Sequence, residues 1–300
     1  RMRAILTKQD LQTSRAVLVE EEDACSQPEN YFKTDSTGSR TMTLVNSSTL
    51  SNGVVVLTEH IPHARGVGLS VLVGASPQDE PGDRPGLAHL CEHALFLGTR
   101  TRSEQQISGL IDSAGGQLGG FTARDYTCFH ATISGEYVTY AVDLLGDLLS
   151  SPHHTQERLQ TEIEIIGHEI DSHEDEADTW LDSQLKRIMW PRDTLGRSII
   201  GSRESLERIS GEDVQSFFDC FYKPDRIIVA AAGQIDHDDF VEQTNDSFWP
   251  LDGQSPNRIE SPANCVGGVI VEHRDQRASL LTLMIPTPVY SDADRYALHI

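Results

Sequence analysis

The chain has 300 residues, 38% hydrophobic and 23% charged, a balance that suits globular domains and argues against a disordered polymer. Its 24 Lys and Arg against 46 Asp and Glu give a formal net charge of −22, which repels phosphate backbones and anionic lipid. A general nucleic-acid or membrane binder is therefore not expected, whereas cationic peptides are tolerated.

Residues 1–40 are polar, carry the run Glu20-Glu21-Glu22-Asp23 and read as a loose tail. β-rich runs follow at 41–45, 54–59 and 67–73, with Asn52-Gly53 as a hairpin signal between the first two. A Pro/Gly loop over 78–85 leads into a helix that reaches about residue 97 and stops at Gly98; Pro85 suits its first turn. A helix over 103–114, capped by Ser103, ends at Gly115-Gly116. Strands at 117–122 and 126–134 come next, then a helix over 136–149. A long helix from 156 to about 189, kinked or interrupted, precedes a helix at 212–221, a strand at 227–232 and a helix at 238–248.

The stretch 251–264, rich in Pro, Gly, Ser and Asn, reads as a linker, and runs at 269–272 and 280–285 as the start of a new sheet. The expected class is α+β: a mixed, largely antiparallel sheet with helices packed on one face, followed by the start of a second similar domain. The domains are then a tail at 1–40, a catalytic α+β domain at 41–250, the linker at 251–264 and a truncated second domain at 265–300. The chain opens with Arg1 and closes on Ala297-Leu298-His299-Ile300, a helix barely begun, so a fragment of a longer protein is expected.

Five cysteines, odd in number and without a Cys-x-x-Cys pair, argue against a disulfide framework. Reduced thiols suit a cytoplasmic setting, with a periplasmic or organellar one also compatible. No apolar run is long enough to span a bilayer.

The informative stretch is Gly86-Leu87-Ala88-His89-Leu90-Cys91-Glu92-His93-Ala94-Leu95-Phe96. On a helix, positions i and i+4 share a face with Cβ atoms about 6 Å apart, so His89 and His93 can reach one metal ion. Glu92, beside the pair, can hold a water on that ion, take its proton and pass it to a leaving amine. The bland alternative is an amphipathic helix whose histidines line a core. A catalytic zinc takes three protein ligands, and the downstream helix offers Glu162, Glu164, His168, Glu169, His173 and Glu174. Glu162 and Glu169, two turns apart, share a face; spacing alone does not choose between Glu169 and His168. Cys91 reads either as a thiol that makes the site oxidant-sensitive or as a small apolar residue on the packing side.

These residues resemble the pitrilysin/insulinase metallopeptidases, inverzincins with His-x-x-Glu-His. Further landmarks carry the likeness: Phe96-Leu97-Gly98-Thr99, Gly115-Gly116-Gln117-Leu118, Phe121-Thr122, Leu195-Gly196-Arg197 and Tyr222-Lys223-Pro224. The resemblance spans about residues 40–300. It implies that Glu169, 76 residues beyond His93 in Ile165-Ile166-Gly167-His168-Glu169-Ile170, is the third zinc ligand. It also implies that Glu162 is a second acidic residue important to activity, and that Gly119, Gly120, Phe121 and Thr122 form an edge strand that aligns an extended peptide. The family usually carries Asn-Ala where this chain has Gly119-Gly120, which bears on substrate affinity and cleavage preference.

The implied activity is zinc-dependent endopeptidase hydrolysis of peptides or unfolded segments, with one zinc per catalytic domain. A homologous C-terminal half or a partner subunit closes the chamber. The alternative is a non-catalytic peptide-binding or partner subunit of a two-chain processing peptidase.

Overall fold

The apolar alternation around residues 67–73 becomes the middle of a six-stranded sheet in the computed structural model. The structure describes residues 2–5, 17–20, 31–34, 40–43, 45–113, 115–258, 264–274, 279–287 and 292. Ahead of the sheet, β1 (Met2–Ile5) pairs antiparallel with β2 (Val17–Glu20), and β3 (Tyr31–Thr34) with β4 (Arg40–Thr43). The segment expected as a loose tail thus contains two ribbons, built where short β-prone runs such as Val17-Leu18-Val19 occur. The acidic residues Glu21 to Asp23 lie outside the described residues, as does Cys25.

The main sheet consists of β5 (Val45–Thr49), β6 (Val55–His60), β7 (Gly66–Val73), β8 (Gln117–Thr122), β9 (Thr127–Ser134) and β10 (Ile227–Gly233). Their order is β5-β6-β10-β7-β9-β8. All neighbours are antiparallel except β10 and β6, which run parallel with Val229 opposite Val56. Asn52-Gly53 sits in the β5–β6 connection, where Gly53 has φ 107 and Asn52 accepts from the Val54 amide. That backbone angle suits glycine, so the hairpin signal coincides with a real turn. Among the described residues, strand β8 is one edge of the sheet and β5 the other.

The helices are α1 (Leu87–Leu95), α2 (Glu104–Ser113), α3 (Val138–Ser150), α4 (Gln156–Asp175), α5 (Ala177–Met189), α6 (Arg203–Leu206), α7 (Gly211–Phe221) and α8 (His237–Phe248). Ala114, the expected last residue of the second helix, lies outside the described residues. The long helix expected from 156 to 189 is interrupted at Glu176, whose φ −77 and ψ 109 are extended and end α4 as α5 begins. Short α6 follows the 3₁₀ turn Thr194–Gly196, a region without a periodic sequence signal.

Helices crowd one face of the sheet. Val56, Val67, Leu69, Val71, Phe129, Ala131 and Val229 bury against Leu87, Leu90 and Ala94 of α1, with α3, α4, α7 and α8 completing the core. Leu90 and Leu95 are fully buried, and each contributes about 1.5–3 kcal/mol of apolar burial. The opposite face carries a smaller cluster of Leu57, Leu72, Cys128, Ile228 and Ala230. The α+β class, the largely antiparallel sheet and the one-sided helices agree with expectation.

The runs at 269–272 and 280–285 do not form strands. Residues 264–274 and 279–287 carry no regular element, and Val269 and Leu281 are 89% and 96% exposed. A strand exists only through ladder bonds to a neighbour, and none lies beside these runs among the described residues. The terminal helix expected near residue 300 lies outside the described residues. Within the stretch expected as a linker, Arg258 pairs with the buried side chain of Asp79, which also holds Arg226. Among the described residues no helix is long and apolar enough to cross a membrane.

Candidate metal centre

Helix α1 buries Leu87, Ala88, Leu90, Cys91, Ala94 and Leu95, which leaves the His89 and His93 side at the core's margin. The two rings stand edge to face with centroids 4.7 Å apart. Helix α4 crosses beside α1 because Leu159, Ile163, Ile166 and Ile170 bury in the same core. That packing delivers Glu169 between the rings: its carboxylate oxygens lie 3.7 Å from His89 Nε2 and 3.7 Å from His93 Nε2. One ligand atom from each of the three residues lies within 4.8 Å of the others.

Glu162, two turns earlier on α4, accepts from His93 Nδ1 at 3.0 Å and so turns the Nε2 of that ring inward. His168, Glu164 and Glu174 are exposed on other faces of the helix, whereas His173, one turn beyond Glu169, is exposed on the same side and adds to the electrostatic effect on His89. Of the two residues that spacing left open, Glu169 reaches the imidazoles. Cys91 is fully buried, its Sγ 3.9 Å from the Val214 carbonyl of α7, and burial raises its thiol pKa well above the ordinary range. It occupies the packing side.

The donor set fits zinc. Two imidazole nitrogens and a carboxylate are borderline ligands of the kind that ion takes, and tetrahedral bonds of about 2.0–2.1 Å put ligand atoms about 3.4 Å apart. The two 3.7 Å separations are close to that figure. Burial and the neighbouring His93 lower the His89 pKa to about 3, so its ring is neutral and able to ligate. For His93, burial pulls downward but the Glu162 hydrogen bond and nearby carboxylates lift its pKa overall.

Glu92 lies beside the trio, its Oε2 3.8 Å from His89 Nε2. It is 7% exposed, and burial raises its pKa against the opposing effects of His93 and the Thr122 hydroxyl, which donates to Oε2 at 3.0 Å. Thr122 belongs to β8, as do Gly119, Gly120 and Phe121. Leu118, Gly120 and Thr122 alternate toward α1, while Gly119 and Phe121 face the other side of the sheet opposite His130 and Cys128. A Cβ at Gly120 would stand 2.9 Å from Glu92 Oε1 and 3.1 Å from its Cγ. Sequence reasoning placed Gly120 and Thr122 only on a peptide-aligning edge; their contact with Glu92 had no signal along the chain. It also passed over Glu80, a buried carboxyl that touches the start of α1.

Comparisons with known proteins bear on the same residues. Residues 55–203 match the family described as Insulinase (Peptidase family M16), and residues 208–300 match the Peptidase M16 inactive domain. An uncharacterized zinc protease of Mycobacterium leprae is 31% identical over 258 residues, 84% of this chain and 58% of that protein. One of Bacillus subtilis is 30% identical over 205 residues, 68% of this chain and 50% of that protein. The chain thus spans between half and three-fifths of the length of these relatives. A crystal structure of a protease from Helicobacter pylori is similar in fold, with a TM-score of 0.68 at 19% identity over 74% of this chain and 54% of that one.

Proposed function

The chain belongs to the insulinase (M16) peptidase family, and from that premise we propose that it is the metal-carrying part of a zinc-dependent endopeptidase acting on peptides or unfolded segments. The observation that carries this reading is the convergence of His89, His93 and Glu169 with Glu92 alongside. His89, His93 and Glu169 hold the metal in this reading. Bound there, zinc supplies a Lewis acid that polarises the scissile carbonyl and acidifies water.

The rest is done by the chain's own groups. Glu92 takes the proton of the attacking water and later gives it to the leaving amine. Its partly desolvated carboxyl suits that double duty, because a raised pKa makes each transfer closer to balanced. Thr122 holds one oxygen of Glu92 in place. Glu162 fixes the ring plane and tautomer of His93. The outer edge of β8, from Gly119 to Thr122, presents backbone donors and acceptors to an extended peptide, which lies as an added strand across the metal. A homologous second half or partner subunit completes the chamber and supports the developing oxyanion.

The test uses the full-length protein and a quenched fluorescent peptide. Chelation should abolish cleavage, zinc should restore it, and Glu92→Gln should keep zinc while lowering kcat by at least about 10²-fold. Full activity in Glu92→Gln would remove the proposed base. A second reading, a peptide-holding partner subunit, draws on the match of residues 208–300 to a domain described as inactive. It predicts peptide binding without turnover, insensitive to chelation.

A further inference from the structure

Helix α1 begins without a cap of its own. Its N-cap residue is Gly86, which offers no side-chain oxygen to the free amides of the first turn. Glycine is required there: φ is +96, and a Cβ would stand 2.9 Å from the Ile200 carbonyl oxygen and 3.0 Å from the Cα of Gly201. The capping contact comes from outside the helix. Glu80, following the 3₁₀ turn Pro77–Asp79, accepts with Oε1 from the Gly86 amide at 3.1 Å and from the Ala88 amide at 2.9 Å.

Glu80 is 6% exposed, and its second oxygen, Oε2, is buried without a hydrogen-bond partner. A buried carboxyl carries a solvation cost, so its presence calls for an explanation. Arg197, whose Nη1 is likewise buried and without a hydrogen bond, lies near enough for its positive charge to favour the ionised carboxyl, but burial outweighs it. The same region clamps the helix entrance from the other side, where Ser205 Oγ donates to the Pro85 carbonyl at 2.7 Å.

The position of this cap matters because His89 is the third residue of α1 and lies in the turn that the cap closes. Fraying of that turn would move the His89 ring directly, whereas His93, a turn further on, is also held by Glu162. We propose that Glu80 is a positioning residue for the metal centre: through the Gly86 and Ala88 amides it holds the first turn of α1 closed and fixes the His89 ring against Glu169. The inference rests on the metal-site reading above.

The experiment measures zinc affinity of the metal-free chain by competition with a chromophoric chelator, alongside far-ultraviolet circular dichroism and thermal melting without metal. Glu80→Ala should bind zinc at least about tenfold more weakly, the scale expected for an outer partner of a ligand. Glu80→Gln should stay within about threefold of the unaltered chain, because an amide oxygen accepts the same two hydrogen bonds. Leu144→Ala, in the core of α3, serves as a control that lowers melting temperature yet leaves zinc affinity in place. Zinc affinity equal to the unaltered chain in Glu80→Ala, a loss in Glu80→Gln as large as in Glu80→Ala, or an equal loss in Leu144→Ala would each overturn the proposal. Should Glu80→Ala not fold, Glu80→Asp, one methylene short of the amides, gives the same comparison: weaker zinc supports it and unchanged zinc overturns it. An unaltered chain that binds no zinc would instead overturn the metal-site reading itself.

Discussion

His93 donates from Nδ1 to Glu162 Oε2 at 3.0 Å, while its Nε2 lies 3.7 Å from Glu169 Oε1. One ring therefore engages two carboxylates of the same helix in different ways, one as an orienting partner and one as a neighbour across the proposed metal position.

That division of labour predicts an order of effects on zinc retention. Glu162→Gln removes the charge behind an already oriented ring and should weaken zinc by about 10–100-fold. Glu169→Gln removes a carboxylate of the proposed ligand set and should weaken it further. Competition titration of the two variants checks the order, and the reverse ranking would exchange the two roles.

Gly120→Ala should damage turnover without damaging the metal site. The new methyl would stand 2.9 Å from Glu92 Oε1, too close to remain, so the Glu92 side chain must swing away. Misplacing a reacting group by about 1 Å can cost about 10²-fold in rate. In the full-length protein kcat should fall on that scale while zinc affinity stays within a few-fold; undiminished kcat would show that Glu92 has room to spare.

Thr122→Val should move the acid limb of the kcat/KM profile to higher pH. The Thr122 hydroxyl donates to Glu92 and favours its ionised form, so losing that bond raises the Glu92 pKa further. A pH series on the full-length variant measures this. A shift toward acid would contradict the base assignment.

Glu80 should give the metal-free chain a stability that declines with rising pH. Burial raises its pKa from 4.5 to about 8, against the pull of the Ala88 and Gly86 amides and Arg197. The folded state thus keeps a proton that the unfolded chain has already released. The contribution is complete below pH 4.5 and is lost as pH climbs through 8. Urea midpoints at pH 6 and pH 9 should fall more for the unaltered chain than for Glu80→Gln, which carries no titrating group there. Equal falls would mean that Glu80 is not the source.

Much of the sheet was legible because alternation is a local property. Residues 67–73 and 126–134 announce their strands, and Asn52-Gly53 its turn, through residues that touch within a few positions. The runs at 269–272 and 280–285 carry the same apolar character, yet remain irregular and exposed. Apolar character alone does not supply a neighbouring strand.

The chain's order of residues alone determined that His89, Glu92 and His93 share one helix face, since 3.6 residues per turn makes that a matter of counting. It could narrow the candidate for a third ligand only to a stretch of α4, and the proposal of Glu169 came from likeness. Tertiary packing decided the rest: burial of Ile163, Ile166 and Ile170 sets the rotation of α4 and aims Glu169 at both rings while His168 faces out. The close approach of Gly120 to Glu92 and the reach of Glu80 to α1 are likewise products of packing. Contacts between elements depend on how helices rotate and settle on a sheet, and no local spacing encodes that rotation.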